Sequence, residues 1–156
     1  MVVVADTSPI NYLVLIGQIE LLPRLYGRIL VPPAVLEELK NPAAPESVRD
    51  WATHAPGWLE VLSPKIVLTF AQLDRGESEA IALATELHVE VLLIDDQAGR
   101  QEAARRGLKV AGTLSILDEA DQAGLADFDH AVARLRQTSF RVSQAVLDEI
   151  NKRRIP

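Results

Sequence analysis

The groups able to do chemistry in this chain are carboxylates, and their placement is patterned. Val2, Val3 and Val4 form an apolar, β-branched run that leads through Ala5 into Asp6. Val91, Leu92, Leu93 and Ile94 lead in the same way into Asp95 and Asp96. If both runs are parallel strands of one sheet, these acids share one edge. For either acid alone, capping the next helix or opening a turn is the simpler explanation. The pair of strand ends, with helix acids to match, favours a site.

The helix acids follow from periodicity. In the stretch Pro33 to Lys40, Val35, Leu36 and Leu39 mark the apolar face. At about 100° per residue, Glu37 points away from that face and reads as a solvated charge, while Glu38 sits on its flank. From Gly76 to His88 the apolar residues are Ala80, Ile81, Leu83, Ala84 and Leu87, and Glu79 lies on the flank. Glu77 falls in the first turn, where the helix dipole favours a carboxylate regardless of function. The candidate constellation is therefore Asp6, Glu38, Glu79 and Asp95 or Asp96. Like charges gathered this way are costly unless a cation neutralises them. All-oxygen donors select Mg²⁺ or Mn²⁺. Such an ion activates water and stabilises charge developing on a phosphodiester.

The elements that must position these acids alternate along the chain. Strands are expected at 2–4, 28–31, 58–62, 91–94 and 108–111. Helices are expected at 9–16, 19–26, 33–40, 46–54, 76–88, 97–106 and 114–124. Ser8 is expected to cap the first helix with Pro9 at its first position, and Thr113 to cap the helix that reaches Gly124. Two amphipathic helices follow, around Phe128 to Arg136 and Ser143 to Arg154. Fully apolar strands alternating with helices imply a parallel sheet covered on both faces. Such sheets bind ligands at the carboxyl ends of their strands.

The bulk properties narrow the field. With 156 residues, one domain with its own core is expected. There is no cysteine, which excludes disulfides, thiolate metal sites and cysteine nucleophiles. No apolar run approaches the roughly 18 residues of a membrane span, and the start of the chain lacks a basic signal-peptide region. The cytoplasm is the expected compartment, with no membrane partner. A net charge of −6 argues against broad nucleic-acid binding, so a nucleic-acid ligand requires metal ions or a local basic patch.

The stretches VVVADTSPI, ILVPPAVLEELK, GESEAIALA and VLLIDDQAGR, with the trailing KVAGTLSIL, resemble the PIN-domain family of VapC-type toxin nucleases. They fall in family order over residues 1 to 124. The resemblance implies a three-layer α/β/α sandwich with a central parallel sheet, and a metal-dependent ribonuclease that hydrolyses RNA. It implies catalytic roles for Asp6, Glu38, Glu79, Asp95 and Asp96, with metal held by Asp6 and by Asp95 or Asp96. Ser8 matches the small hydroxyl after the first acid. Glu79 stands where many members have Asp, and Ile94-Asp95-Asp96 stands where the commoner pattern is Thr, any residue, Asp. Arg100, one turn past Asp96, is a candidate phosphate contact. An RNA substrate, an antitoxin-like protein inhibitor and a homodimer are the partners implied. Residues 125–156 form a helical extension expected to pack on the same domain.

Other constellations fit less well. A haloacid-dehalogenase-type phosphatase wants a second Asp where Ser8 stands, and a receiver domain wants its Asp pair early in the chain. His54, His88 and His130 have no metal-ligand spacing. Lys152-Arg153-Arg154 is suited to a helix end, with an RNA or partner contact as the alternative. A metal-binding interaction module without turnover is the non-enzyme reading, and metal-dependent cleavage separates the two.

Overall fold

The computed structural model describes residues 1–154. Its strands are β1 (Val3–Ala5), β2 (Ile29–Val31), β3 (Leu59–Val61), β4 (Val91–Leu93) and β5 (Val110–Ala111). They form one sheet in the order β3-β2-β1-β4-β5, and every neighbouring pair is parallel. The order reverses at β1, which lies between β2 and β4. A crevice at the carboxyl ends of the strands opens at such a reversal. The Asp6 N–H donates to the Leu93 carbonyl at 2.8 Å, which ties the ends of β1 and β4 together.

Alternation along each strand sends side chains to two separate cores. Val3, Ala5, Ile29, Val31, Val91 and Leu93 face one core. That core is completed by α1 (Thr7–Leu15), α2 (Leu21–Tyr26), α3 (Pro33–Leu39), α4 (Glu46–Thr53) and α7 (Thr113–Gln122). Val4, Leu92 and Ile94 face the other, against α5 (Arg75–Leu87) and α6 (Gln97–Arg105). The result is the α/β/α sandwich with a parallel sheet that the strand pattern implies.

Helix starts differ from expectation at two places that matter for the site. Asp6, not Ser8, is the residue before α1, and Pro9 is the third helical residue. The first four N–H groups of a helix lack partners anyway, so proline fits there as well as at the first position. Gly112, not Thr113, precedes α7, and Thr113 is its first residue. Both hydroxyls are thereby freed for other partners. The helix α5 opens with a capping box in which Asp74 and Glu77 exchange side-chain-to-backbone bonds. His88 closes it in the left-handed conformation, φ 50°.

The last two helices, α8 (Phe128–Leu135) and α9 (Gln144–Arg154), pack on α7. Phe128, Ala131, Leu135, Leu147 and Ile150 are buried in the same core as the sheet. The basic run at the chain end turns inward: Arg153 lies 3.4 Å from Asp118 and Arg154 lies 2.7 Å from Asp121, both acids of α7. Arg154 also covers the Phe128 ring at 4.7 Å. Among the described residues, no helix is long and apolar enough to cross a membrane.

This shared core makes a prediction. Phe128→Ala, at a site 1% exposed, is expected to cost about 3–5 kcal/mol. Urea unfolding followed by circular dichroism is expected to show a single transition moved to lower denaturant. A main transition left in place, with a separate early loss of helix, would show residues 125–156 to be an appendage.

Candidate active site

Three consecutive residues after β1 organise the crevice. Asp6 is 4% exposed and directs its carboxylate into a cleft of ≈ 540 Å³. Its Oδ1 is buried with no hydrogen-bond partner. The Thr7 hydroxyl donates to Glu38 Oε2, which joins the end of β1 to α3. The Ser8 hydroxyl donates to Asp95 Oδ2 at 2.9 Å, which joins it to the end of β4. One short segment, Asp-Thr-Ser, thus presents one acid and braces two others.

Glu38 is held from a second side. The Gly76 N–H, at the start of α5, donates to the same carboxylate. The approach is close: a Cβ on Gly76 would lie 2.5 Å from Glu38 Oε1 and 2.8 Å from Oε2. A glycine is therefore required for Glu38 to stand where it does.

Asp95 and Asp96 have different roles in the geometry. Asp95 accepts from the Ser8 hydroxyl, from the Thr113 N–H at 2.7 Å and from the Thr113 hydroxyl at 2.7 Å. It is a brace between the starts of α1 and α7. Gly112 admits it, since a Cβ there would come within 2.8 Å of Asp95 Oδ1. Asp96 is exposed, lines the cleft, and uses Oδ2 to cap α6 through the Gly99 N–H at 2.9 Å.

Glu79 does not join this group. Its Oε1 accepts from the Ala34 N–H at 3.2 Å and its Oε2 pairs with Arg75 at 3.0 Å. Arg75 in turn pairs with Glu37 at 2.9 Å, so both acids serve the α3–α5 contact. The geometry brings Glu77 to the cleft in place of Glu79. Two residues along a helix is about 200° of rotation, so the two glutamates face different surroundings.

The gathered charge is visible in the acidities. Burial, reinforced by repulsion from Glu77, Asp74 and Glu38, holds the Asp6 carboxyl well above the usual carboxylate range, against the lowering effect of the Thr7 N–H that donates to it. Burial raises Glu38 as well, against the lowering effect of the Thr7 hydroxyl. Glu77 is pushed up to about 7, first by burial and then by repulsion from Asp74, Asp96 and Glu38. Among the described residues, no three acidic or histidine side chains converge closely enough to enclose a metal ion alone. Mg²⁺ characteristically keeps several waters and binds through one or two carboxylates. Asp6, with a free buried oxygen, and Asp96, on the cleft wall, fit that mode.

A parallel sheet with acids at its switch point, braced by hydroxyls and approached through glycines, gathers negative charge in one crevice, where a divalent cation would be attracted. The family model described as a PIN domain matches residues 2–154. The chain belongs to the PIN-domain family, whose members are in general nucleases that use divalent metals. A solved structure, a PilT N-terminus domain protein from the hyperthermophilic archaeon Sulfolobus solfataricus, has a similar fold. The two share 14% identity with a TM-score of 0.53, over 92% of this chain and 100% of the other. No curated protein matches this sequence.

The braces and the acidities each make a prediction. Gly76→Ala is expected to leave thermal stability unchanged or raise it, by up to about 1 kcal/mol of helix propensity. It is expected to displace Glu38 and cut activity by tenfold or more, roughly the loss of one well-placed group. Melting curves measured beside turnover test this, and equal activity in the variant would remove Glu38 from the site. Glu77 binds its proton more tightly folded than unfolded, so stability is expected to fall as pH rises from about 4.5 to about 7. Glu77→Gln keeps the oxygen that accepts from Asp74, and is expected to flatten that part of the stability–pH curve. An unchanged curve, measured by urea titration at several pH values, would contradict the assignment.

Proposed function

We propose that this chain is a divalent-metal-dependent endoribonuclease that hydrolyses RNA phosphodiester bonds. The observation that carries the reading is the buried Asp6 carboxylate at the sheet's switch point, whose Oδ1 has no hydrogen-bond partner and which the charges of Glu77, Asp74 and Glu38 surround. A buried, unpaired acid is costly and marks a place where a cation or a reacting group belongs.

Asp6 and Asp96 would hold Mg²⁺ or Mn²⁺. The ion supplies two things when bound, an activated water at neutral pH and neutralising charge beside the phosphodiester. The rest falls to the chain's own side chains. Glu77, with its acidity near neutral, is matched to taking a proton from a nucleophile and passing it on. Glu38 is held by Thr7 and Gly76 and keeps the local potential negative. Asp95 sets the position of the Asp96 backbone through Ser8 and Thr113. Arg100 lines the cleft, one helical turn past Asp96, and is placed to contact a phosphate. A role as the toxin of a toxin–antitoxin pair, with a protein inhibitor and a homodimeric state, belongs to the same proposal. It rests on the family resemblance.

The test is cleavage of a mixed RNA panel by the purified protein, with Mg²⁺ or Mn²⁺ against EDTA, beside Asp6→Asn. Cleavage is expected only with metal and to fall by at least about a hundredfold in the variant. Mn²⁺ affinity, measured by calorimetry, is expected to weaken as pH falls, because protons compete for Asp6, whose burial holds its proton more tightly than an ordinary carboxylate does. Cleavage that survives both EDTA and the substitution would overturn the mechanism. Tight Mn²⁺ binding without turnover on any RNA would favour an interaction module instead.

A further inference from the structure

The helix α9 belongs to the wall of the cleft yet carries none of its acids. Val146, in its first turn, and Ser143, just before it, line the cleft. Beside α9 the space continues into a hollow of ≈ 300 Å³, bounded by Ala145, Val146, Glu149 and Ile150 on one side and by Arg100 and Ser115 on the other. The cleft and the hollow share Arg100, Ser115 and Val146, so the one opens into the other. Helices of a common core normally pack without such gaps. Here α9 rests on α7 and leaves open space toward α6.

The attachment of α9 is light. Of its eleven residues, Leu147 and Ile150 are the buried ones. The chain before it is pinned as far as Phe140, whose N–H donates to the Thr138 hydroxyl and whose ring meets Tyr12 edge to face at 5.0 Å. Residues 141–143 then run without secondary structure into the helix. Ser143 caps α9 by accepting from the Val146 N–H at 3.2 Å, so the helix carries its own start with it. A capped helix on a three-residue connection can move as one body.

The catch that holds its far end is half engaged. Asp118 of α7 is 3% exposed, and its Oδ1 has no hydrogen-bond partner. Arg154 Nε stands 3.7 Å from that oxygen, and Arg153 reaches Oδ2 at 3.4 Å. Charge-assisted bonds close to about 2.7–2.9 Å when their partners are free to meet. The outer pair, Arg154 with Asp121 at 2.7 Å, is fully made. A buried carboxylate oxygen without a donor is costly. Lifting α9 removes the two arginines from Asp118 and lets water reach it. Release therefore gives up two long ion pairs, one short one and two apolar contacts, and regains the hydration of a buried acid.

We propose that α9 is a hinged strap, turning on residues 141–143 with Asp118 as its catch, whose release opens the cleft that leads to Asp6. The acids stand on other elements, and α8 with Phe128 stays in the core. The motion thus widens the entrance and leaves the site undisturbed. Local openings of this kind need less free energy than global unfolding. The strap does not depend on which reaction the cleft performs.

Thiol labelling tests it, because the chain has no cysteine of its own. Ile150→Cys places a thiol under the strap at a site 1% exposed, and Leu114→Cys places one on the cleft wall at a site 4% exposed. Ala131→Cys, in α8 at a site 1% exposed, is the reference. With a bulky aromatic disulfide reagent in native buffer, the first two are expected to react at least about tenfold faster than the reference. Adding Asp118→Asn is expected to speed both by a common factor of about ten and to leave Ala131→Cys unchanged. Arg153→Gln, at an exposed residue, is expected to speed both about threefold. If Asp118→Asn speeds all three thiols alike it has weakened the whole fold, and the Arg153→Gln set decides. The proposal is overturned if Ile150→Cys reacts no faster than Ala131→Cys, or if loosening the catch does not speed it. It is overturned equally if Ile150→Cys is sped and Leu114→Cys is not, since the helix would then move without opening the cleft.

Discussion

Burying the Asp6 carboxylate with one oxygen, Oδ1, left without a hydrogen-bond partner costs free energy that the rest of the fold must offset. The parallel sheet creates the problem and contains it. Because β1 and β4 are parallel neighbours, their carboxyl ends share one edge, and acids that follow both strands are forced together. The Asp6 N–H to Leu93 carbonyl bond prevents the two ends from separating under that repulsion. The two apolar cores on either face hold the strands rigid. Neighbouring acids that are not needed bare are each given donors: Thr7 and Gly76 for Glu38, Ser8 and Thr113 for Asp95, the Gly99 N–H for Asp96. Only Asp6 is left with a buried oxygen facing the cleft and no donor.

Much of this was legible in the sequence, and the part that was not has a physical cause. Apolar runs ending in Asp are strong signals, so the strands, their parallel arrangement and the edge location of Asp6, Asp95 and Asp96 could be read directly, while the order of the strands in the sheet could not. Glu38 could be placed by helical periodicity. The same periodicity favoured Glu79, because a flank position on a helix says only that a side chain leaves the core. It does not say toward which neighbour. The packing of α3 on α5 decided that, by offering Glu79 the Ala34 N–H and Arg75. Glu77 looked like a dipole-compensating first-turn acid, and it is one. It is also the acid that meets Asp6, because the start of α5 is aimed at the crevice. Thr7, Gly76 and the bonds from Thr113 to Asp95 were invisible for a related reason. A hydroxyl or a glycine gains meaning only from a partner that is distant in sequence, Glu38 for Thr7 and Asp95 for Thr113.

The C-terminal segment shows the same limit. Lys152-Arg153-Arg154 reads as a basic cluster open to solvent or nucleic acid. In the fold two of its members are turned onto acids of α7, more than thirty residues earlier. The positive charge left facing the cleft comes from Arg100 and Arg141, which are isolated in sequence and form no cluster there. Charge runs identify solvated faces well, while a binding surface assembled by folding is made of single residues from separate elements.

Burial first, and then the negative potential at the switch point, raises the proton affinity of these acids, and the same potential attracts a cation. Each acid that is added raises the proton affinity of the others and the attraction for a divalent ion by the same mechanism. A fold that wanted only stability would replace Asp6 with an apolar residue, since the position is buried and continues an apolar strand. A fold that wanted only a metal cage would let three or four carboxylates converge, and here they do not. The arrangement lies between these limits. One bare acid, one acid titrating near neutrality and one on the cleft rim leave room in the same space for an ion, its waters and a phosphate. That combination suits the phosphodiester hydrolysis proposed above better than it suits a stable core or a storage site for metal.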